Sequence, residues 1–191
     1  YRVAVIGRTG RGNYGHDIDT VWLDIDETEV VAVADEDEQG RAEAARRLGV
    51  AKTYADYRDM LEMERPDIVS VAPRWLDCHR DMVIAGAEHG CHVFLEKPMC
   101  RTLAEADEMI AACERANVKL AISHQTRYSP RLQRVQEMIS ALRASTLPSH
   151  SWLTRSILTS AVFQTESVMS WISRRRAAVL KTSFILYVVR Q

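Results

Sequence analysis

Short apolar runs alternate with longer stretches of helical spacing along most of this chain. Residues 2–6 form a β-branched run that stops at Gly7 and reads as a strand. A glycine-rich turn follows, and residues 16–25 are a mixed segment with capacity for a helix. Residues 29–34 are a second continuous apolar strand closed by Asp35, and residues 38–48 have alanine-rich helical spacing ended by Gly49. The pattern then predicts a short strand at 52–54, a helix at 57–64, and a strong buried strand at 67–72 that stops at Pro73. A helix at 77–88 halted by Gly90, a strand at 91–95 running into Glu96-Lys97-Pro98-Met99, a helix to residue 116 and a strand at 118–123 complete the series. Thr102 with Glu105 three residues later forms a capping box for the last of these helices.

About six strands, apolar on both faces and separated by helices, argue an α/β architecture: a doubly wound parallel sheet covered by helices on each side. A further helix is expected at 130–142. From Ala144 the character changes, with acids lost, serine gained and no clear periodicity; all eight glycines lie at or before Gly90. The domain reading is therefore a Rossmann-type domain at 1–124, a linker and first helix toward a second domain at 125–143, and an unassigned tail at 144–191. The tail has the character of translation in a wrong reading frame or of a truncated product. A divergent extension packing as helices, with weak amphipathic spacing at 167–180, is the other reading.

Charge sharpens this division. Residues 1–143 carry 19 basic and 25 acidic groups, whereas residues 144–191 carry 6 basic and 1 acidic. The main domain thus lacks the basic surface that nucleic-acid binders present, and Arg174-Arg175-Arg176 reads as a solvated face. Cys78, Cys91, Cys100 and Cys113 are irregularly spaced, with no pair at metal-ligand spacing, and are expected as reduced core or boundary residues. The apolar stretch at 177–189 is interrupted by Lys181 and is shorter than the roughly 20 residues of a membrane span. A soluble, cytoplasmic protein without membrane or nucleic-acid partner and without a metal is expected.

The chemistry concentrates in three places. Gly7-Arg8-Thr9-Gly10-Arg11-Gly12 directly follows the first strand, the context in which a glycine pattern indicates dinucleotide binding. Gly7 permits the turn, Gly10 lets the backbone approach a pyrophosphate, Gly12 allows close packing of the next helix, and amides at that helix start bind the anion. Thr9 stands where a second glycine is usual, and Gly15 can sit in the same turn. Asp35 ends the second strand 23 residues after Gly12, close to the spacing at which a carboxylate accepts from the adenosine ribose hydroxyls. That favours NAD, while Arg8, Arg11 and Arg41 keep NADP open. Glu36, Asp37 and Glu38 read as a solvated acidic run. Trp22 and Trp75 read as packing residues.

Val93-Phe94-Leu95-Glu96-Lys97-Pro98 resembles the Glu-Lys-Pro signature of the glucose-fructose oxidoreductase, inositol dehydrogenase and rhizopine-catabolism (Gfo/Idh/MocA) family. The likeness covers roughly residues 1–143 and includes Pro73 after the fourth strand, His79 at the following helix start, and Arg127-Tyr128-Ser129-Pro130. It implies that Lys97 is catalytic, lying near the nicotinamide and the substrate hydroxyl, where it orients the substrate and helps move a proton. It also implies that Glu96 orients Lys97, that the Lys97-Pro98 bond is cis, and that Gln125 and Arg127 line the cofactor site. For His79, a cofactor contact and a capping or surface role are equal readings.

Members of that family continue into an α+β domain that binds the sugar, mediates homo-oligomers and usually supplies an Asp-x-x-x-His pair. In this chain the only histidine after His124 is His150, and no aspartate follows Asp107. The resemblance therefore implies a Rossmann domain with the usual second domain truncated or absent. Two functions follow: an oxidoreductase acting on a CH-OH group of a sugar, cyclitol or related polyol with NAD or NADP, or a catalytically incomplete nucleotide-binding module or regulator. A reductase of the biliverdin-reductase type is a more distant option on the same nucleotide fold.

Overall fold

The computed structural model describes residues 1–124 and 129–146. Six strands, β1 (Arg2–Ile6), β2 (Glu29–Ala34), β3 (Lys52–Tyr54), β4 (Ile68–Val71), β5 (His92–Glu96) and β6 (Leu120–Ser123), form one sheet in the order β3-β2-β1-β4-β5-β6. Every pairing is parallel; Val3 lies opposite both Val30 and Ile68, and Val93 opposite Val69 and Leu120. The helices between strands are α1 (Glu38–Leu48), α2 (Tyr57–Glu64), α3 (His79–Glu88) and α4 (Leu103–Arg115). This is the Rossmann arrangement that the apolar runs predict. Strand order reverses between β1 and β4, which opens a crevice at their C-terminal ends.

Local signals explain most boundaries. Gly49 ends α1 in the left-handed conformation at φ 69°, as expected. Thr102 caps α4 by accepting from the Glu105 N–H at 3.2 Å, although the Glu105 carboxylate reaches back to the N–H of Arg101 instead of Thr102. Asp37 is more than a member of a solvated acidic run: its carboxylate caps α1, accepting from Gly40 N–H at 2.7 Å.

The helix expected at 16–25 does not form. The structure has turns there and only a short 3-10 helix, Val21–Asp24. Gly15 and Asp17 both have positive φ, which interrupts a right-handed helix before it can nucleate. Tertiary bonds then take groups a helix would use. The Ile18 carbonyl accepts from the Ser70 hydroxyl at 2.8 Å, and buried Asp19 pairs with Arg47 of α1 at 2.6 Å.

The core lies along β1, β4 and β5, where Val3, Val5, Val69, Val71 and Leu95 are fully buried. Trp22 closes one side, edge-to-face with Phe94 at 5.4 Å between ring centroids, in the packing role expected of it. Cys78, Cys91 and Cys113 are buried and Cys100 is half-buried, all as free thiols. Burial pushes the Cys91 and Cys113 thiols up to about 11, so they stay protonated at neutral pH.

A second compact unit begins at His124. Its described element is α5 (Pro130–Thr146), which runs four residues beyond the expected end. Gln125, Arg127 and residues 147–191 lie outside the described residues.

Candidate functional site

The glycine-rich loop after β1 is a tight turn folded on itself. Arg8 and Asn13 exchange backbone bonds at 3.1 and 2.9 Å, Arg11 N–H donates to the Arg8 carbonyl at 3.0 Å, and Gly10 N–H donates to Asn13 Oδ1 at 2.9 Å. The anion-binding helix start expected here is absent, because the first helix of the chain lies beyond β2 apart from the 3-10 turn. Among the described residues, the N–H groups of Gly12 and Tyr14 make no hydrogen bond, and both residues are buried.

Two glycines set where this loop lies. A Cβ on Gly12, at φ 93°, would stand 2.3 Å from the backbone nitrogen of Arg74, so the segment after β4 passes directly against the loop. A Cβ on Gly15, at φ 71°, would stand 2.5 Å from Glu96 Oε2. The loop therefore spans the switch point and touches the end of β5. Gly12 serves packing as expected, but against a loop instead of a helix.

Glu96 is fully buried at the end of β5 and joins the two halves of the site. Its Oε2 accepts from the His16 N–H at 2.9 Å, and its Oε1 accepts from the Lys97 N–H at 3.0 Å. Oε1 also lies 3.3 Å from His16 Nδ1 and 4.0 Å from Lys97 Nζ. Lys97 is half-buried, and the Lys97-Pro98 peptide is cis, as the resemblance implies.

His79 is completely buried and sits behind the crevice wall. Its Nε2 lies 2.6 Å from the Pro73 carbonyl and its Nδ1 3.1 Å from the Met99 carbonyl, so it ties the exit of β4 to the segment after the cis bond. Pro73 is buried at the same exit. Trp75, expected to pack, is instead 52% exposed beside the glycine loop, with the Arg11 guanidinium 5.6 Å from its ring centre. Nothing in its own residue type distinguishes these environments; the approach of the loop at Gly12 decides it.

On the other side of the loop, Asp35 is 2% exposed and accepts from Thr9. Arg41 donates to the Asp35 carbonyl at 2.6 Å. Arg8 and Arg11 both reach Asp77 Oδ2, at 3.0 and 3.4 Å. Burial alone would lower the Arg8 pKa, but contact with Cys78 and Asp77 carries it above the ordinary value. Burial pushes the Tyr14 phenol well above its usual range, and the Asp35 carboxylate adds to the effect. A shallow crevice at the ends of β1 and β2 is lined by Gly7, Arg8, Asp35, Glu36, Ala55 and Tyr57 among others. The structure thus brings Gly7, Gly12, Pro73, Glu96 and Lys97 to one edge of the sheet, with Asp35 and the arginines at its flank. Sequence reasoning missed Thr9 as a partner of Asp35, Asp77 as the anchor of two arginines, and His16 as a partner of Glu96. Each contact spans more than 20 residues, so no local signal marks it.

Among the described residues no helix is long and apolar enough to cross a membrane. The profile of the oxidoreductase family with an NAD-binding Rossmann fold, GFO_IDH_MocA, matches residues 1–124. The chain is 36% identical over 131 residues to a D-apiose dehydrogenase of Paraburkholderia graminis, covering 69% of this chain and 34% of that protein. It is 32% identical over 115 residues to a myo-inositol 2-dehydrogenase of Thermotoga maritima, covering 60% and 34% of the respective chains. The crystal structure of the WlbA dehydrogenase of Bordetella pertussis in complex with NADH and UDP-GlcNAcA aligns with a TM-score of 0.63 at 27% identity, covering 74% of this chain and 42% of that one. The chain spans about a third of the length of the curated relatives it matches. With its parallel sheet, its glycine loop and the Glu-Lys-Pro corner, the chain belongs to the Gfo/Idh/MocA oxidoreductase family and carries that family's NAD-binding Rossmann domain, related to the sugar and inositol dehydrogenases.

Proposed function

We propose that this chain binds NAD across the C-terminal edge of its sheet and serves hydride transfer at a CH-OH group of a sugar, cyclitol or related polyol, with NADP as the alternative coenzyme. The observation that carries the reading is the bonded path from the glycine loop through His16 and Glu96 to Lys97, which holds the loop and the lysine at one crevice. The residues fit a dinucleotide. Two loop amides are without an acceptor among the described residues, Gly10 has open space where a side chain would project, and Arg8 and Arg11 place positive charge beside the loop.

When bound, the coenzyme supplies the hydride acceptor that oxidation of an alcohol requires. Lys97 Nζ orients the substrate hydroxyl and, as the unprotonated amine, takes up the hydroxyl proton, becoming the ammonium. Glu96, buried and bonded to the Lys97 N–H, fixes where that side chain starts. Pro73 and His79 support the crevice wall from behind, and Gln125 and Arg127 belong to the cofactor site on the family likeness. Residues 1–124 are the nucleotide-binding domain on this reading, 125–143 the connection to a second domain, and 144–191 a tail outside that plan. Reading the coding DNA beyond codon 143 tests the tail: a glycine-bearing continuation with Asp-x-x-x-His in another frame supports a frameshift, and its absence from both other frames removes that idea.

The activity is tested by offering the full chain NAD and NADP with aldoses, cyclitols and linear polyols while following reduced nicotinamide. Turnover that depends on Lys97 supports the dehydrogenase. Coenzyme binding with no turnover on any substrate supports the nucleotide-binding module or regulator instead.

A further inference from the structure

The carboxylate at the end of β5 is approached from two sides. Glu96 is fully buried and accepts two backbone N–H groups, that of His16 on Oε2 at 2.9 Å and that of Lys97 on Oε1 at 3.0 Å. The side chains of the same two residues converge on Oε1, with His16 Nδ1 at 3.3 Å and Lys97 Nζ at 4.0 Å. A carboxylate oxygen offers about two lone-pair sites and the Lys97 N–H takes one, so the other serves one side chain at a time. The imidazole is the nearer of the two, and the backbone holds it there. Gly15 and Asp17, on either side of His16, both have positive φ, and a Cβ on Gly15 would stand 2.5 Å from Oε2, so only glycine at that position lets the chain turn His16 onto the carboxylate.

The two side chains differ in reach. His16 Nδ1 is shielded from solvent, although the His16 and Lys97 side chains are each 38% exposed as a whole. A carboxylate only accepts, so the imidazole nitrogen that faces it carries a proton, which selects the Nδ1–H form. Lys97 has a flexible four-carbon stem and can either settle on the same oxygen or extend from it. Settled on Oε1, Nζ directs its hydrogens at Glu96. Kept off Oε1, it is available to a hydroxyl in the crevice.

We infer that the His16 imidazole is a positioning residue: it occupies Glu96 Oε1 and thereby keeps the Lys97 amino group off that carboxylate and available in the crevice. This role rests on the reading of Lys97 as the group that meets the substrate hydroxyl, but its first test does not depend on turnover. Dilute acetic anhydride acetylates amines according to their availability, and mass spectrometry of the Lys97 peptide follows this site on the folded 191-residue chain, with exposed Lys119 as the internal reference. His16→Phe keeps a ring and the backbone N–H but offers no side-chain donor, and exchange of one hydrogen bond for another is expected to slow Lys97 acetylation about fivefold. His16→Asn sets an amide N–H where Nδ1 stood and is expected to bring the rate back to within about twofold of the wild type. Loosening of the corner would speed acetylation, the opposite direction. A Lys97 rate unchanged in folded His16→Phe, or one that His16→Asn fails to restore, overturns the inference. The wild type supplies a check that needs no Phe variant to fold: long-range proton–nitrogen correlation is expected to show a proton on His16 Nδ1, and an Nε2–H form there overturns the inference as well. Where a polyol is turned over, His16→Phe should lower kcat about fivefold with KM little changed, and His16→Asn should recover it. Acetylation that follows the expected pattern in a chain that turns over no polyol supports the role of His16 and removes the dehydrogenase reading instead.

Discussion

The backbone N–H of His16 donates to Glu96 Oε2 at 2.9 Å, across 80 residues of sequence. This bond joins the exit of the glycine loop to the strand that presents Lys97. A fully buried carboxylate must have its acceptors satisfied, so Glu96 resists displacement of either the loop or the lysine backbone. The glycine loop and the backbone of Lys97 are thereby fixed to one another.

Lys97→Met removes the amino group and keeps much of the stem. Turnover of any accepted polyol should fall about 10²- to 10⁴-fold while the NADH dissociation constant changes by less than about threefold. Steady-state kinetics paired with fluorescence titration checks both parts. A loss of coenzyme affinity matching the loss of turnover would place Lys97 in cofactor binding instead.

Gly15→Ala introduces a Cβ 2.5 Å from Glu96 Oε2 and 2.6 Å from the Ala72 carbonyl, at a φ of 71° that alanine disfavours. The expected cost is about 1–3 kcal/mol in chemical denaturation. Because the displaced group is Glu96, turnover should fall further than stability alone explains. Normal kinetics in a destabilised variant would contradict that linkage.

Gly40→Ala tests the seating of Thr9 against α1. Its new Cβ meets Thr9 Oγ1 at 1.8 Å and Thr9 Cβ at 2.7 Å, so destabilisation of about 1–3 kcal/mol is expected. Thr9→Ala removes the nearest of these atoms, and the double variant should be more stable than the sum of the two single effects. Additive effects would mean that the two residues do not meet.

Glu64 gives a pH dependence remote from the site. Burial alone would raise its pKa, but hydrogen bonds from Lys52 at 2.8 Å and Tyr54 at 2.6 Å, with Arg2 nearby, hold it below the ordinary value of 4.5. The ionised carboxylate therefore contributes stability that is fully present above that value and is lost as pH falls through the lower native pKa. Glu64→Gln should cost about 1–3 kcal/mol at pH 7 and flatten the acid limb of the stability curve. An unchanged acid limb in denaturation series across pH would remove Glu64 from this role.

The strands and four of the helices between them are legible in the sequence because their signals are local. Gly49 stops α1 and Thr102 caps α4 within a few residues of the positions they govern. Residues 16–25 were not legible, since positive φ at Asp17 and the capture of Ile18 and Asp19 by Ser70 and Arg47 come from elsewhere in the fold. The same holds at the site. Gly7, Gly12 and Asp35 stand out by motif spacing and Lys97 by the family resemblance, whereas the engagement of Asp35 by Thr9 and the exposure of Trp75 depend on how the loop closes. Motif spacing identifies the residues of such a site, and tertiary contacts assign their partners.

Calorimetric titration of the folded 191-residue chain with NAD, and separately with NADP, tests the central claim most directly. The account predicts saturable heat at one site per chain, abolished when Gly12→Ala drives a Cβ toward the backbone of Arg74. Absence of heat with both coenzymes on folded protein would contradict it.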